Sequence, residues 1–195
     1  MERVLLHVCC ANCLADVLPA VTGEKRELAI HFYNPNIQPL IEYRRRRKSA
    51  LLLADKLGLK VIDSPPANVH PGEFLLGSDW RAEQGKRCFS CYRMRLERTA
   101  AAAKANGFSA FTTTLLASTE QSHESVLKAG LEAAEHVGVR FLEGDWRELH
   151  GKAGGLPKGF STYKQQYCGC IFSEYERFQT GGKHLLPGEK QGTRP

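Results

Sequence analysis

Short apolar runs alternate along this chain with longer segments in which apolar positions recur every three to four residues. The short runs predict strands at 3–8, 28–33, 60–63, 109–114 and 139–142. The longer segments predict helices at 14–21, 39–57, 88–106, 123–137 and 171–178. Strands that alternate with helices are typical of an α/β sheet wound by right-handed crossovers. We therefore expect a parallel sheet with helices on its faces.

Loops that carry sulfur or polar side chains follow three of the predicted strands. Cys9 and Cys10 come directly after the first strand, the turn 34–36 follows the second, and residues 115–119 follow the fourth. In open α/β sheets the ligand lies beyond the carboxyl ends of the strands. These three loops are therefore expected to converge on one site.

The length of 195 residues and the apolar content of 42% suit one domain with a substantial core. We predict a catalytic domain over 1–178 and a flexible polar tail over 179–195, and the Gly-rich segment 151–159 is also expected to be flexible. No secretory signal opens the chain, and the apolar run 4–8 is too short to span a membrane. The sequence therefore predicts a soluble cytoplasmic protein with no membrane partner.

All seven cysteines fall into three short groups: Cys9, Cys10 and Cys13; Cys88 and Cys91; Cys168 and Cys170. Reduced thiols that cluster in this way bind soft metals, build iron–sulfur clusters or exchange electrons. The middle group is a C-x-x-C motif at a predicted helix start, where the helix N-terminus is expected to lower the thiol pKa values. With the adjacent first pair it offers four thiolates, the number that a [4Fe–4S] cluster takes. The spacing leaves three alternatives to the cluster open: a structural zinc site, thiol chemistry, or one larger metal site that uses all seven cysteines.

The last group, Cys168-Gly169-Cys170, leaves one residue between its two thiols. A disulfide closed over so short a loop is strained and easily reduced, which favours a redox couple over a structural crosslink. The same two thiolates, together with Cys13, are an alternative set of ligands for a second metal ion. The residues alone leave both roles open.

Positive charge is concentrated in two places along the chain. The net charge is +6 and the pI is about 9.0, which is compatible with an acidic partner such as nucleic acid. Residues 44–48 are consecutive Arg and Lys within a predicted helix, and more basic residues surround the C-x-x-C motif. Such a run is usually a solvated face, and contact with RNA phosphates is the alternative. His7 and His31 lie within predicted buried strands and are expected to be core histidines with hydrogen-bond partners.

Five segments of the chain carry a family resemblance: 5–13 (LLHVCCANC), 32–37 (FYNPNI), 87–96 (RCFSCYRMRL), 111–116 (FTTTLL) and 165–173 (QQYCGCIFS). Together they closely resemble the cobalamin-independent epoxyqueuosine reductases of the QueH type. The resemblance implies an adenine-nucleotide α-hydrolase-like fold. It also implies that the protein reduces epoxyqueuosine at the wobble position of tRNA to queuosine, the last step of that pathway.

The resemblance also implies the cofactors and partners. The cluster ligands of the family fall on four cysteines: Cys9, Cys10, Cys88 and Cys91. Its redox-active C-x-C falls on Cys168 and Cys170, and a second metal, iron or zinc, is expected beside the [4Fe–4S] cluster. Cys13 stands where some members carry Asp, which leaves the ligands of the second metal open. The expected partners are the tRNA anticodon stem-loop and an electron donor protein.

The loop after the first strand, 7–13, contains no glycine that would let backbone amides surround a phosphate. We therefore predict that the protein does not use ATP. This argues against one alternative, a cluster-dependent tRNA thiolase on the same fold, for which ATP dependence is the discriminating assay. The other alternative is a zinc-dependent RNA-binding module without redox chemistry, which would be colourless.

Overall fold

The computed structural model describes residues 1–23, 26–62 and 84–179. Within these ranges five strands form one parallel sheet in the order β3-β2-β1-β4-β5. The strands are β1 (Glu2–His7), β2 (Arg26–His31), β3 (Lys60–Val61), β4 (Ala110–Thr113) and β5 (Arg140–Phe141). The α-helices are α1 (Ala11–Val21), α2 (Leu40–Lys56), α3 (Gln84–Ala105), α4 (His123–Val137) and α5 (Ile171–Phe178). The prediction of a parallel sheet with flanking helices is confirmed.

Both faces of the sheet are covered, because alternate residues of each strand point to opposite sides. Leu6 and Ile30 pack in one buried cluster with Leu14 of α1 and Leu53 of α2. On the other face Leu5 and Phe111 pack with α3 and α4 in a second cluster. This double burial explains why the strands appear in the sequence as nearly continuous apolar runs.

Two of the helices, α1 and α3, begin earlier than their apolar periodicity indicates. α1 begins at Ala11 rather than at 14, because Cys10 caps it: the Cys10 sulfur accepts a hydrogen bond from the Cys13 amide. α3 begins at Gln84, four residues before the predicted start. Its first turn is polar, so the apolar periodicity does not reveal it. α4 and α5 have the predicted bounds. Gly58, Gly107 and Gly138 follow helix ends with positive φ, as expected of helix-stopping glycines.

The Gly-rich segment 151–159, predicted to be flexible, is hydrogen-bonded to α1. The buried Asp16 carboxylate accepts from the amides of Gly151 at 3.0 Å and Ala153 at 2.8 Å. The Gly155 amide donates to the carbonyl of Ala15 at 2.8 Å. Residues 180–195 of the predicted tail lie outside the described residues.

Candidate metal and redox site

Three cysteines of the first group lie together at the carboxyl edge of the sheet. The sulfur atoms of Cys9, Cys10 and Cys13 are within 4.8 Å of one another, and those of Cys9 and Cys10 are 3.9 Å apart. A tetrahedral metal with Zn–S bonds of about 2.3 Å requires sulfur–sulfur separations of about 3.8 Å. The three sulfurs are buried or half-buried. Their spacing therefore suits a bound metal.

The electrostatics of this group favour one thiolate and two thiols. Hydrogen bonds from the Cys10 and Cys13 thiols hold the pKa of Cys9 well below its usual value, and the Thr114 hydroxyl also donates to the Cys9 sulfur at 3.2 Å. Hydrogen bonds to Cys10 and Cys9 raise the pKa of Cys13 well above its usual value. A thiolate ligand must be deprotonated, so metal binding would release the remaining protons.

Cys88 and Cys91 lie in the second turn of α3, and burial raises the pKa of both, that of Cys91 to about 11. The prediction that the helix N-terminus would lower these pKa values is wrong. The helix begins at Gln84, and the influence of the helix dipole fades beyond the first turn. Desolvation of the buried thiols outweighs what remains of it.

The last pair directly precedes α5. A hydrogen bond from the Cys170 thiol lowers the pKa of Cys168 to about 6, with a further contribution from Ser173. The bond to Cys168 raises the pKa of Cys170. Cys168 also lies within the electrostatic range of Cys88 and Cys91. A thiolate beside a thiol is the arrangement that dithiol–disulfide exchange requires.

Arg95 links the three groups. Arg95 is 4% exposed, its Nη2 donates to the side-chain oxygen Oδ1 of Asn34 at 2.6 Å, and its Nη1 lies 4.0 Å from the Cys91 sulfur. Its positive charge contributes to lowering the pKa of Cys9 and of Cys168 and opposes the rise at Cys91. One cysteine of each group therefore lies within the field of a single buried cation.

The predicted ligand sets are brought together to different degrees. Among the residues that the structure describes, one group contains at least three potential metal ligands within 4.8 Å of one another. Its members are Cys9, Cys10 and Cys13. Cys13 accordingly lies with the first pair, and the set of Cys13, Cys168 and Cys170 is not gathered at this spacing. The cysteines predicted to bind the cluster are also not gathered that closely. In a cubane cluster each thiolate binds a different iron, so its sulfurs lie farther apart than those around one ion.

The segment that leads to the last pair covers the first group. The side-chain amide of Gln165 donates to the Cys10 sulfur at 2.9 Å, and the side-chain amide of Asn12 donates to the backbone carbonyl of Tyr163 at 3.0 Å. Cysteines from the start, middle and end of the chain are therefore joined through Arg95 and Gln165. The turn at 34–36 also converges here, because Asn34 donates to the carbonyl of Val8 at 2.9 Å.

The two strand histidines are core residues, as predicted. His7 Nε2 lies 3.2 Å from the carbonyl of Tyr33, to which it donates, and Nδ1 accepts from the Thr113 hydroxyl at 2.8 Å. His31 Nδ1 lies 3.0 Å from the Thr99 hydroxyl. Both side chains are fully buried. Neither is placed as a metal ligand.

Sequence reasoning missed Arg95 and Arg46, which it had counted only among the basic residues. The i, i+4 spacing of Cys91 and Arg95 on a predicted helix was an available signal, since residues four apart share a helix face. Arg44, Arg45 and Lys48 of the basic run are exposed, as a solvated face requires, whereas Arg46 is buried.

No helix among the described residues is both long and apolar enough to cross a membrane.

Comparison with known proteins gives one consistent result. The family model described as "Epoxyqueuosine reductase QueH" matches residues 4–176. Proteins of that name are similar to this chain in Dehalococcoides mccartyi (34% identity, 90% of this chain and 94% of the relative) and Haemophilus influenzae (35%, 88% and 71%). The relative of that name in Thermotoga maritima is 36% identical over 98% of this chain and 99% of its own length.

Proposed function

Because the chain belongs to the epoxyqueuosine reductase QueH family, we propose that it reduces epoxyqueuosine at the wobble position of tRNA to queuosine. The observation that carries this proposal is the meeting of three cysteine groups around the buried Arg95. An RNA-binding module would not need a thiolate–thiol pair beside a second set of buried thiols.

The reaction removes the epoxide oxygen as water and leaves an alkene, so it consumes two electrons and two protons. Oxidation of the Cys168 thiolate and the Cys170 thiol to a disulfide supplies two electrons and one proton, and solvent supplies the other proton. An electron donor protein must then reduce the disulfide. The low pKa of Cys168, about 6, supports its role as the thiolate of the pair.

We assign the four cysteines of the first and middle pairs to a [4Fe–4S] cluster: Cys9, Cys10, Cys88 and Cys91. Such a cluster, when bound, passes electrons one at a time. Four thiolates would place excess negative charge in a buried site, and the Arg95 guanidinium supports the assignment because it provides a countercharge. Cys13 remains as a candidate ligand for a second metal, iron or zinc, which would polarise the epoxide oxygen as a Lewis acid.

The exposed basic residues of the run 44–48 in α2 are the proposed contact with RNA phosphates. Arg44 and Lys48 are exposed on this helix, and the chain carries a net charge of +6. Phosphate contacts hold an anticodon stem-loop without reading its sequence. The modified base would be splayed from the loop into the cysteine site.

Metal analysis with spectroscopy on protein purified without oxygen, followed by an assay on tRNA that carries epoxyqueuosine, tests the proposal. We expect a brown protein with about four or more irons that forms queuosine without ATP. Cys170→Ser should abolish turnover and leave the cluster absorbance intact, whereas Cys9→Ser should remove that absorbance.

Two results would contradict the proposal. A colourless protein that contains only zinc would favour the zinc-dependent RNA-binding module, which the 3.9 Å separation of the Cys9 and Cys10 sulfurs also suits. A requirement for ATP would favour the tRNA thiolase.

A further inference from the structure

Arg46 is the one residue of the run 44–48 whose side chain the structure describes as buried. It is 2% exposed, whereas Arg44, Arg45 and Lys48 are exposed. Its charge is balanced by Glu42 one turn earlier on α2, with Nε and Oε1 2.6 Å apart and both side chains buried. A buried ion pair is weak evidence of added stability, because desolvation offsets the attraction. The role of Arg46 is therefore better judged from the other groups that its guanidinium contacts.

The Arg46 guanidinium holds the backbone of the last cysteine pair. Its Nη2 donates to the carbonyl of Tyr167 and its Nη1 to the carbonyl of Cys168, each at 3.0 Å. The next carbonyl, that of Gly169, accepts from the Gln38 amide at 2.7 Å. Three consecutive carbonyls at the C-x-C turn are therefore held from α2 and the residues before it. Arginine suits this task, because its planar fork donates in two directions at once.

Side-chain packing fixes the same turn. The Arg46 guanidinium lies 5.2 Å from the centroid of the Tyr167 ring. Gly169 has a φ of +112°, and a Cβ placed there would lie 2.8 Å from Ile37 Cγ1 and 3.1 Å from Arg46 Nη1. Only glycine combines this backbone conformation with so close an approach. Glycine between the two cysteines is thus favoured by its positive φ and by the close approach of Ile37 and Arg46.

A third residue holds the ion pair in place. The second carboxylate oxygen of Glu42 accepts from the Tyr163 hydroxyl at 2.5 Å. Tyr163 belongs to the segment that runs along the first cysteine group, because its carbonyl accepts from Asn12. The Tyr163–Glu42–Arg46 chain is fully hydrogen-bonded through charged groups, which makes its geometry specific.

We propose that Arg46, oriented by Glu42 and Tyr163, is a positioning residue that fixes the Cys168–Cys170 pair for reaction. The inference rests on the proposed function in one respect, the redox role given to that pair. It assigns Arg46 a different task from the exposed basic residues of the run 44–48. These contact RNA, whereas Arg46 orders the turn that carries the reacting sulfurs.

Three variants separate positioning from phosphate contact. Arg46→Met keeps an unbranched apolar side chain and removes the fork, and Arg44→Met removes an exposed charge from the proposed RNA contact. Lys56→Met is the matched control, because it removes a positive charge from the exposed end of α2. Each is compared with the unmodified protein, purified without oxygen, by steady-state kinetics on tRNA and by alkylation of native thiols. Trypsin cleavage after Lys164 and Arg177 leaves a peptide, 165–177, whose only cysteines are Cys168 and Cys170.

Arg46→Met should lower kcat about tenfold to 100-fold, in line with the cost of a small misplacement of reacting groups, with KM for tRNA unchanged. The peptide 165–177 should be alkylated at least severalfold faster. Arg44→Met should raise KM with kcat unchanged, and Lys56→Met should match the unmodified protein in alkylation. A rise in KM alone for Arg46→Met, or unchanged alkylation, would overturn the proposal.

A second variant covers the case in which Arg46→Met does not fold. Tyr163→Phe removes only the hydroxyl that donates to Glu42, and it should also speed alkylation of the peptide 165–177. If alkylation of this variant is unchanged, the proposal is wrong. The proposed function fails by a different result: Cys170→Ser would retain full turnover while Arg46→Met still speeds alkylation.

Discussion

Arg95 is a cation with almost no access to water, and such a residue is stable only where its charge is matched. One guanidinium nitrogen bonds to Asn34, another lies near the Cys91 sulfur, and its Nε has no partner. The nearby thiolates provide the rest of the match. A positive charge beside a redox centre stabilises its reduced form, since reduction adds negative charge.

We expect Arg95→Met to lower the reduction potential of the proposed cluster by several tens of millivolts or more. The potential is measured by an anaerobic redox titration followed by electron paramagnetic resonance. Arg93→Met is the control, because Arg93 is exposed on the same helix and its guanidinium is 3.8 Å from Glu97 at the surface. Equal potentials in the two variants would show that Arg95 has no electrostatic role.

At this scale the sequence identified residues whose chemistry is restricted and missed those whose role depends on orientation. Cysteines in tight groups serve few purposes, so all seven could be singled out from the sequence as candidate site residues. An arginine in a basic run is different, because neighbouring positions on a helix face different directions. One arginine can therefore be exposed while the next is buried in the core. Arg46 and Arg95 show this, since only the packing of α2 and α3 decides which charges are buried.

Among the helices and strands, the contact of α4 with β5 is the tightest approach at a glycine. A Cβ on Gly130 of α4 would lie 2.3 Å from Cε1 of Phe141, a buried residue of β5. Gly85 is also helical, and a Cβ there would meet nothing within 4 Å. Gly130 lies in the middle of α4 and Gly85 in the first turn of α3, so the pair compares a crowded helical glycine with one that has open space.

Gly130→Ala should lower the free energy of unfolding by up to about 2 kcal/mol. Overpacking costs about 1–3 kcal/mol, and the better helix propensity of alanine returns about 1 kcal/mol. Gly85→Ala should leave stability unchanged or raise it by up to about 1 kcal/mol. Urea unfolding measures the free energy of unfolding of both variants and of the unmodified protein. If Gly130→Ala does not lower this free energy, the Phe141 ring moves aside without cost.

The existence and type of these elements followed from apolar periodicity, whereas the starts of α1 and α3 did not. A helix end depends on which group satisfies its first amides, and at α1 that group is the sulfur of Cys10, an uncommon cap. The polar first turn of α3 has no apolar signal at all. The wrong pKa prediction for Cys88 and Cys91 came from this boundary.

For the molecule as a whole, two buried histidines link stability to pH. His7 and His31 are paired in register across β1 and β2. Burial lowers the pKa of His31 from 6.5 to about 4 and that of His7 well below its usual value. The folded protein keeps both neutral, while the unfolded chain takes up protons as the pH falls below about 6.5. Their contribution to stability is therefore present above pH 6.5 and is lost as the pH falls through the range down to about 4.

His31→Gln should weaken this pH dependence. With one histidine that binds a proton only when unfolded, the free energy of unfolding changes by up to about 1.4 kcal/mol per pH unit. Urea unfolding from pH 7 to pH 4 measures the slope, and His136→Gln, on the exposed face of α4, is the control. If His31→Gln and the unmodified protein lose stability in parallel over this range, His31 is not responsible.

The global arrangement was predictable because alternating strands and helices leave few ways to build a parallel sheet, and the carboxyl edge of such a sheet is where sites form. The route of the C-terminal segment was not predictable. Its path along α1 and α2 depends on single polar contacts, such as those of Asp16 and Arg46. Such contacts leave no periodic pattern in the sequence.

The segment 163–168 covers the first cysteine group, with Gln165 bonded to the Cys10 sulfur. This order of the chain has a consequence for biosynthesis. A ribosome adds about 5–20 residues per second, so Cys9, Cys10 and Cys13 exist for on the order of ten seconds before their cover has been translated. A soft metal ion captured by the nascent chain in that interval would be covered when residues 163–168 fold along the first cysteine group. We therefore expect the metal content of this protein to depend on which metals are available while the chain is being translated.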